Sequence, residues 1–539
     1  MRSTRPLISG LMAIALCLGG GGACSSEADA AQRGGIVRIL SLGEPQTLNP
    51  VFDNSEPARE LYNLIFSGLI RQNSLSQLEP DLLTEVPDYQ NGQVRTLPNG
   101  EMEVIYTLRP GLRWHDGQPL TAEDIQFTWM AHTDPRHVYP PTPGYEQIRT
   151  VEVVDARTAR VVFFRTYPEY YALFQQVLPK HSFRSRFWQF SPEHPWNRHP
   201  VGSGPFVLKE WKRGESALLD PNPLYHRARP HLDQIRYQFK VADFRAFPAV
   251  VEWAQSADII QGMSIISYDY LREHPDLSLH LRTTGKIEHL NINLKHPVLA
   301  NLRVRRALAR AIDRKLVRER LLGLAEPAWS DQARDSWKYN ARSEAFYPFD
   351  PTQAGALLDA AGWKARGDGQ RYNDQNEPLQ FSLILEAGNQ SHQVIGAYLK
   401  QAFAQIGVGL ELKPVPTDML LREVLPGGHY ELALAAWNRH PRETSFRRWH
   451  SSQVPPQGFN YGGFQDYQAD DLLEAMAASP DLSRQKQLYQ QLAEVLNERL
   501  PAIPLYYDTL LEANRKSVHN YLPNSFGGST WNCASWWLE

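Results

Sequence analysis

A short segment late in the chain concentrates side chains that could bind a charged or polar solute. It follows an apolar run at 432–436 and reads Trp437-Asn438-Arg439-His440-Pro441-Arg442-Glu443. Arginine can make two parallel hydrogen bonds with a carboxylate or phosphate, whereas glutamate could pair with a buried ammonium group. Asparagine both donates and accepts, and tryptophan combines apolar area with one donor. The segment predicts a binding site and leaves the charge of the solute open; the alternative is that the arginines face solvent or local acids.

Motifs of common enzyme classes are absent or incomplete. Gly202-Ser203-Gly204 differs from a nucleophile elbow because the serine directly follows the first glycine. The chain contains no phosphate-binding P-loop and no HExxH, and its 17 histidines do not fall on one helix face. We predict no catalytic residue, no cofactor and no metal. Carboxylates are plentiful, so a secreted hydrolase is the rival hypothesis, which paired carboxylates in a cleft would favour.

The first 33 residues have the pattern of an export signal followed by a tether. Two arginines precede an uncharged stretch at 7–22, which is too short and too rich in glycine to span a membrane. The stretch ends in Gly-Gly-Ala-Cys, similar to a lipobox, so we predict a signal peptide at 1–23 and a lipid on Cys24 that anchors the protein to a membrane. Cleavage at a nearby alanine is the alternative. Residues 24–33 are predicted to be a flexible tether.

Composition narrows the class of protein further. The chain has 539 residues, of which 42% are hydrophobic and 21% charged, as in globular proteins. Its 56 Lys and Arg nearly balance its 59 Asp and Glu, which argues against a broad nucleic-acid surface. The length predicts more than one domain. With Cys17 in the signal and Cys24 lipidated, Cys533 has no partner, so we predict no disulfide.

Strands and helices are predicted along the whole chain. Alternating apolar residues predict strands at 35–40, 102–108, 287–294 and 410–415. Helical spacing of apolar residues predicts helices at 60–70, 304–312, 394–406 and 488–496. Thr121 and Asp124 form a capping box that begins another helix. The mixture predicts the α/β or the α+β class, of which we favour α/β.

Several segments, in order, resemble the family 5 solute-binding proteins of bacterial ABC importers, the oligopeptide-, dipeptide- and nickel-binding type. The strongest is 108–124, LRPGLRWHDGQPLTAED. The others are GSGPF at 202–206, PNPLY at 221–225, RVRRALARAID at 303–313, the block around 350–363 and LPAIPLY at 500–506. Six blocks in register behind an export signal make the resemblance specific.

The resemblance implies a two-lobed periplasmic-binding-protein clamshell of class II with an additional third domain. The first lobe is expected to be discontinuous, with the solute held between the two main lobes. The implied divisions are lobe I at 34–77, 200–300 and 502–539, the extra domain at 78–199, and lobe III at 301–501.

The resemblance also implies the site. In peptide-binding members an aspartate after the strand-end tryptophan pairs with the peptide ammonium, but this chain has Arg439 or His440 there. The nearest acid is Glu443. A standard linear peptide is therefore a weaker expectation for the solute of this chain than it is for the family. The implied ligand-binding residues are Glu44, Asp53, Asn54, Trp437, Asn438, Arg439, His440, Arg442, Glu443, Asn460 and Tyr461.

The expected function follows from these implications. We expect a monomeric binding component of an ABC importer, in a periplasm or on a cell surface, that captures an oligopeptide and delivers it to permease subunits in the membrane. The alternative is a binding protein for a non-peptide anionic solute or a sugar. No nucleic-acid partner is expected.

Overall fold

The computed structural model describes residues 34–41, 43–74, 77–135, 142–183, 194–239, 256–263, 268–438, 444–525 and 527–539. The predicted signal peptide at 1–23, Cys24 and the tether at 24–33 lie outside these ranges. Within them, every helix is too short or too polar to span a bilayer.

A mixed sheet of eleven strands forms the frame of the molecule. Its strands lie in the spatial order Gly409–Val415, Gln380–Glu386, Leu432–Trp437, Leu277–Ile292, Ala502–Arg515, Ile259–Met263, Ile36–Ser41, Gln234–Phe239, Ser216–Pro221 and Phe206–Lys212, with Glu326–Pro327 paired to Ala502–Arg515. Parallel pairs occur on both sides, between Ile36–Ser41 and Gln234–Phe239 and between Gln380–Glu386 and Gly409–Val415. We call the side with Ile36–Ser41 the first half of the sheet and the side with Gln380–Glu386 the second half.

Two long antiparallel strands connect the halves. Leu277–Ile292 pairs with Leu432–Trp437 in the second half, and Ala502–Arg515 pairs with Ile259–Met263 in the first half. The register between these crossing strands shifts after Thr283, where three residues of one strand face one residue of the other. Gly285 lies in this bulge with φ +82°, which glycine adopts without strain. The crossing strands therefore have an irregular joint where the halves meet.

A second body, which we call the small-sheet region, comprises the described residues between 77 and 183. Its four antiparallel strands lie in the order Val94–Thr96, Met102–Thr107, Thr158–Phe163 and Ile148–Val153. Further two-stranded pairs are Ile70–Gln72 with Leu78–Pro80, Lys364–Ala365 with Arg371–Tyr372, and Val518–His519 with Trp537–Leu538.

Helices cover the sheets. The α-helices are Glu56–Ile65, Ala122–Thr133, Tyr268–Leu271, Leu302–Arg310, Arg314–Arg320, Pro351–Ala360, Gln390–Ala404, Thr417–Met419, Leu425–Gly427, Ser445–Trp449, Tyr467–Ala478 and Leu482–Arg499. A π-helical turn spans Leu420–Val424, and 3-10 turns span Tyr145–Gln147, Pro168–Ala172, Lys180–Ser182, Pro195–Asn197, Ala341–Ala345, Ser451–Gln453 and Cys533–Ser535.

Each body has its own apolar core. One core packs the first half of the sheet against Glu56–Ile65, a second packs the second half against Leu302–Arg310 and Gln390–Ala404, and a third fills the small-sheet region. A further cluster packs Tyr467–Ala478 and Leu482–Arg499 on the opposite face of the second half. The predicted α/β class is confirmed.

Most predicted elements are present with shifted ends. The capping box is confirmed, because the Thr121 backbone N–H donates to Asp124 Oδ2 at 2.8 Å. The helix predicted at 60–70 is wrong at both ends, because it spans Glu56–Ile65. Pro57 suits the first turn. The chain leaves the helix at Phe66 so that Gly68 can pass the backbone of Gln175, where a Cβ would lie 2.5 Å from the carbonyl oxygen.

Candidate functional site

Trp437 lies at the end of strand Leu432–Trp437, in register with Ile287 on a crossing strand. Side chains alternate along a strand, so His289 projects from the same face as Ile287. The His289 ring stacks on the Trp437 ring, with centroids 3.7 Å apart and an interplanar angle of 13°. Burial lowers the pKa of His289 to about 3. The imidazole is therefore neutral at physiological pH, and it fixes the indole from one side.

A buried arginine also contacts Trp437. The Arg448 guanidinium carbon lies 5.2 Å from the indole centroid, in cation–π range. Its Nη1 is 3.3 Å from Asp331 Oδ2, and the two side chains are 6% and 5% exposed. Trp449 Nε1 donates to the same carboxylate oxygen at 2.8 Å. The pair is balanced in charge, and the aspartate accepts from both neighbours.

Three of the predicted site residues meet at a small cavity behind this cluster. The cavity has a volume of about 10 Å³ and is lined by Asn291, Trp437, Arg448, Trp449, Phe459, Asn460, Tyr461, Gly462, Phe464 and Pro501. That volume fits about one water molecule and is far smaller than a solute pocket. Trp437, Asn460 and Tyr461 therefore lie in the wall of the same small cavity.

Asn460 holds a loop together at this wall. Its side-chain Nδ2 donates to the carbonyls of Phe464 at 2.8 Å and His450 at 3.2 Å, while Oδ1 accepts from the Phe464 backbone N–H at 2.8 Å. The amide is buried and its groups are used within the loop. Tyr461 is half-buried and packs edge-to-face on Phe459.

The segment that motivated the site is described only at its start. The carbonyl of Asn438 lies 3.5 Å from Arg448 Nη2. Arg439, His440, Arg442 and Glu443 lie outside the described residues. Their contact with a solute stays a prediction.

The predicted residues of the first half lie in an ordered loop. Asp53 accepts the backbone N–H of Gln46 on Oδ2 and that of Ser55 on Oδ1, both at 2.8 Å. Such bonds tie the carboxylate, which is 9% exposed, to the shape of its own loop. Asn54 beside it is exposed. Solute contact by Asp53 and Asn54 stays a prediction.

Glu44 is engaged in a similar way at a hairpin of the first half. Its Oε1 accepts from Trp211 Nε1 at 2.9 Å and from the Gly214 backbone N–H at 3.0 Å. These bonds join the loop after strand Ile36–Ser41 to the turn between two neighbouring strands. A solute that used this carboxylate would compete with both donors.

A second buried arginine lies in the first half. Arg282, on a crossing strand, donates from Nε to Glu512 at 2.7 Å and from Nη2 to Glu56. Glu60 lies 3.9 Å from the same Nη2 and accepts the backbone N–H groups of Ser529 and Thr530. Burial raises the pKa of Glu60, although the charge of Arg282 partly opposes this. The Arg282 guanidinium therefore lies within ion-pair distance of three carboxylates.

Sequence reasoning missed the partners of Trp437, namely His289, Asp331 and Arg448. His289 could have been found, because it alternates with Ile287 on a strand that was predicted. Asp331 and Arg448 are more than a hundred residues apart and carried no motif. Among the described residues, no group of three or more His, Cys, Asp or Glu side chains could hold a metal ion.

Comparison with known proteins identifies the family. The model of the bacterial extracellular solute-binding proteins, family 5 Middle, matches residues 77–455. The chain belongs to the family 5 extracellular solute-binding proteins. Its activity is therefore solute binding for an ABC transporter, outside the cytoplasm, and not catalysis.

Relatives of this family 5 protein extend over the whole chain. The oligopeptide-binding protein AppA of Bacillus subtilis is 25% identical over 99% of this chain and 98% of its own length. The probable deoxycholate-binding periplasmic protein YgiS of Escherichia coli is 24% identical over 90% of each chain. The structure of NikZ from Campylobacter jejuni, in complex with Ni(L-His), has a TM-score of 0.65 at 23% identity and covers 93% of this chain and 99% of its own. The fold is that of a multi-domain periplasmic binding protein.

Proposed function

We propose that this family 5 protein is the lipid-anchored binding component of an importer and that its solute is an oligopeptide. The observation that carries the proposal is the end-to-end similarity to AppA, whose name states oligopeptide binding. The lipid would be on Cys24 after removal of the signal peptide at 1–23. Residues 24–33 would give the folded part reach from the membrane.

The proposed lobes follow the sequence divisions given above. Lobe I would comprise 34–77, 200–300 and 502–539, the extra domain 78–199, and lobe III 301–501. Separate apolar cores in the two halves of the sheet and in the small-sheet region support this division. The bulge of the crossing strands at Thr283 and Gly285 would be the hinge.

In this mechanism the solute selects the closed form. A solute that contacts both lobes only when they are closed shifts the population toward that form. Trp437 and Asn438 would form part of the lobe III wall, where the indole is held rigid by His289 and Arg448. Backbone hydrogen bonds would supply most of the affinity for a peptide, so selectivity among peptide sequences would be weak.

A non-peptide anionic solute is the second candidate. Arg439 and Arg442 lie shortly after the strand-end tryptophan, and Glu443 is the first acid that follows it in the sequence. Guanidinium groups suit carboxylates and phosphates. Two similar proteins have names that state ligands other than linear peptides, deoxycholate and Ni(L-His).

Mass spectrometry of co-purified solute distinguishes these candidates. Residues 25–539, without a tag, would be purified from the native host and denatured to release what they carry. We expect peptides of a narrow length range. A single non-peptide anion would reject the oligopeptide and favour Arg439 and Arg442 as the selective residues.

A further inference from the structure

The small-sheet region is firmly joined to the first half of the sheet. Asp81 is buried in that joint, where it accepts from His226 Nε2 at 3.1 Å and from Arg227 Nε at 3.0 Å. The backbone N–H of Gly68 donates to the same carboxylate, and that of Leu69 donates to the Phe174 carbonyl. These bonds connect the small-sheet region to the first half, so the two are expected to move together in the proposed closure.

The same region also contacts the second half at a place far along the chain. The Trp337 indole packs against the core of the small-sheet region and against the cluster formed by Tyr467–Ala478 and Leu482–Arg499. Its ring meets Tyr171 edge-to-face at 6.3 Å and Tyr489 edge-to-face at 5.8 Å. One side chain is thus shared by two cores.

A lysine beside this tryptophan adds charge to the contact. Lys338 Nζ donates to the Tyr489 hydroxyl at 3.0 Å and lies 4.6 Å from the centre of its ring. Glu169 of the small-sheet region attracts the ammonium group electrostatically. Cation–π contact and an opposite charge lower the cost of placing an ammonium group in this half-buried position.

A hydrogen bond lies at a further point of the same contact. Gln90 Nε2 of the small-sheet region donates to Ser483 Oγ at 3.2 Å. Leu482, next to that serine, also packs against the core of the small-sheet region. Aromatic, charged and polar contacts therefore all join the small-sheet region to the second half.

We propose that Tyr171, Trp337, Lys338 and Tyr489 form a latch that fixes the orientation of the two halves from a place away from the crossing strands. The crossing strands connect the two halves through the bulge at Thr283. A second contact away from this hinge restricts the rotation of one half relative to the other. The latch residues determine solute affinity indirectly, because affinity scales with the fraction of molecules in the competent orientation. This inference rests on the proposed closure mechanism but not on the identity of the solute.

The test measures orientation in solute-free protein by electron–electron double resonance. Spin labels would be placed on the exposed positions Val154 and Glu411 through V154C and E411C, in the mature chain 25–539. The native Cys533 is 1% exposed and would be replaced by serine only if it is labelled. Protein that retains the latch should give one narrow distance distribution. In Trp337→Ala we expect a second distance in at least about one tenth of molecules.

The matched control is Trp363→Ala. Trp363 is also half-buried, but it packs only against the core of the second half. It should leave the distance distribution unchanged. Lys338→Met is a milder latch variant, for use if Trp337→Ala fails to fold as judged by circular dichroism. An unchanged distance distribution in folded Trp337→Ala and Lys338→Met would overturn the proposal. A failure of the oligopeptide hypothesis would appear only in the mass-spectrometry experiment.

Discussion

Two of the buried arginines, Arg282 in the first half of the sheet and Arg448 in the second half, have different partners. Arg282 in the first half pairs with three carboxylates, those of Glu56, Glu60 and Glu512. Arg448 in the second half pairs with Asp331 and lies over the indole of Trp437. The first arginine joins chain segments that are distant in sequence. Arg448 instead packs against Trp437, which is one of the predicted solute contacts.

The difference shows what each half contributes. The carboxylates around Arg282 also receive bonds from Ser529, Thr530 and Tyr521, so this cluster ties the C-terminal segment to the first helix and the crossing strand. Arg448 instead lies over Trp437 and beside the Asn438 carbonyl, two residues that are predicted to contact the solute. Mutations around Arg282 are expected to change the free energy of unfolding. Mutations around Arg448 are expected to change both the free energy of unfolding and the affinity for the solute.

The largest effect is expected for Arg282→Met. Removal of the cation leaves Glu512, which is fully buried, and Glu60 without their charge partner. Breaking a buried pair in this way costs about 3–5 kcal/mol of the free energy of unfolding, which urea denaturation would measure. Arg38→Met is the control, because Arg38 is 47% exposed in its pair with Asp258 and should cost less than about 1 kcal/mol. Equal losses in the two variants would show that the burial of Arg282 does not determine the size of the effect.

Arg448→Met should cost about 3 kcal/mol, since Asp331 keeps only the Trp449 N–H as a donor at the shared oxygen. The double variant Arg448→Met with Asp331→Asn should recover part of that loss, because no buried charge is left alone. A thermodynamic cycle of the four proteins gives the coupling energy. If the double variant lost as much free energy of unfolding as the two single variants lose together, the pairing of Arg448 with Asp331 would be contradicted.

The sequence predicted the frame better than the site, for a physical reason. Alternation and helical spacing report one buried face, so the strand at 287–294 and the helix at 304–312 were found. Asp331 and Arg448 meet only because the chain folds back over 117 residues. Glu44 and Asp53 were predicted as solute contacts from the family resemblance, and the sequence did not reveal that backbone N–H groups of the protein already occupy their oxygens.

Asp53→Asn tests whether that loop acid is structural. An amide offers one acceptor oxygen where the carboxylate offers two, so one of the N–H groups of Gln46 and Ser55 meets a donor. We expect a loss of about 1–3 kcal/mol in the free energy of unfolding and a change in solute affinity of no more than about threefold. Exposed Asn54→Ala should change neither. A tenfold loss of affinity with unchanged stability would assign Asp53 to the solute.

The smallest effect is expected from the proton on Glu60. Burial raises the pKa of Glu60 above its ordinary 4.5, so the folded protein holds this proton more tightly than the unfolded chain does. The stabilisation from protonation is fully present below pH 4.5 and is lost as the pH rises through the folded pKa. Stability of the native protein relative to Glu60→Gln should therefore increase as the pH falls, by at most about 1.4 kcal/mol per pH unit. A difference that does not vary with pH would mean that Arg282 and the N–H donors of Ser529 and Thr530 fully offset the burial, and the first-half cluster would then be as balanced in charge as the pair around Arg448.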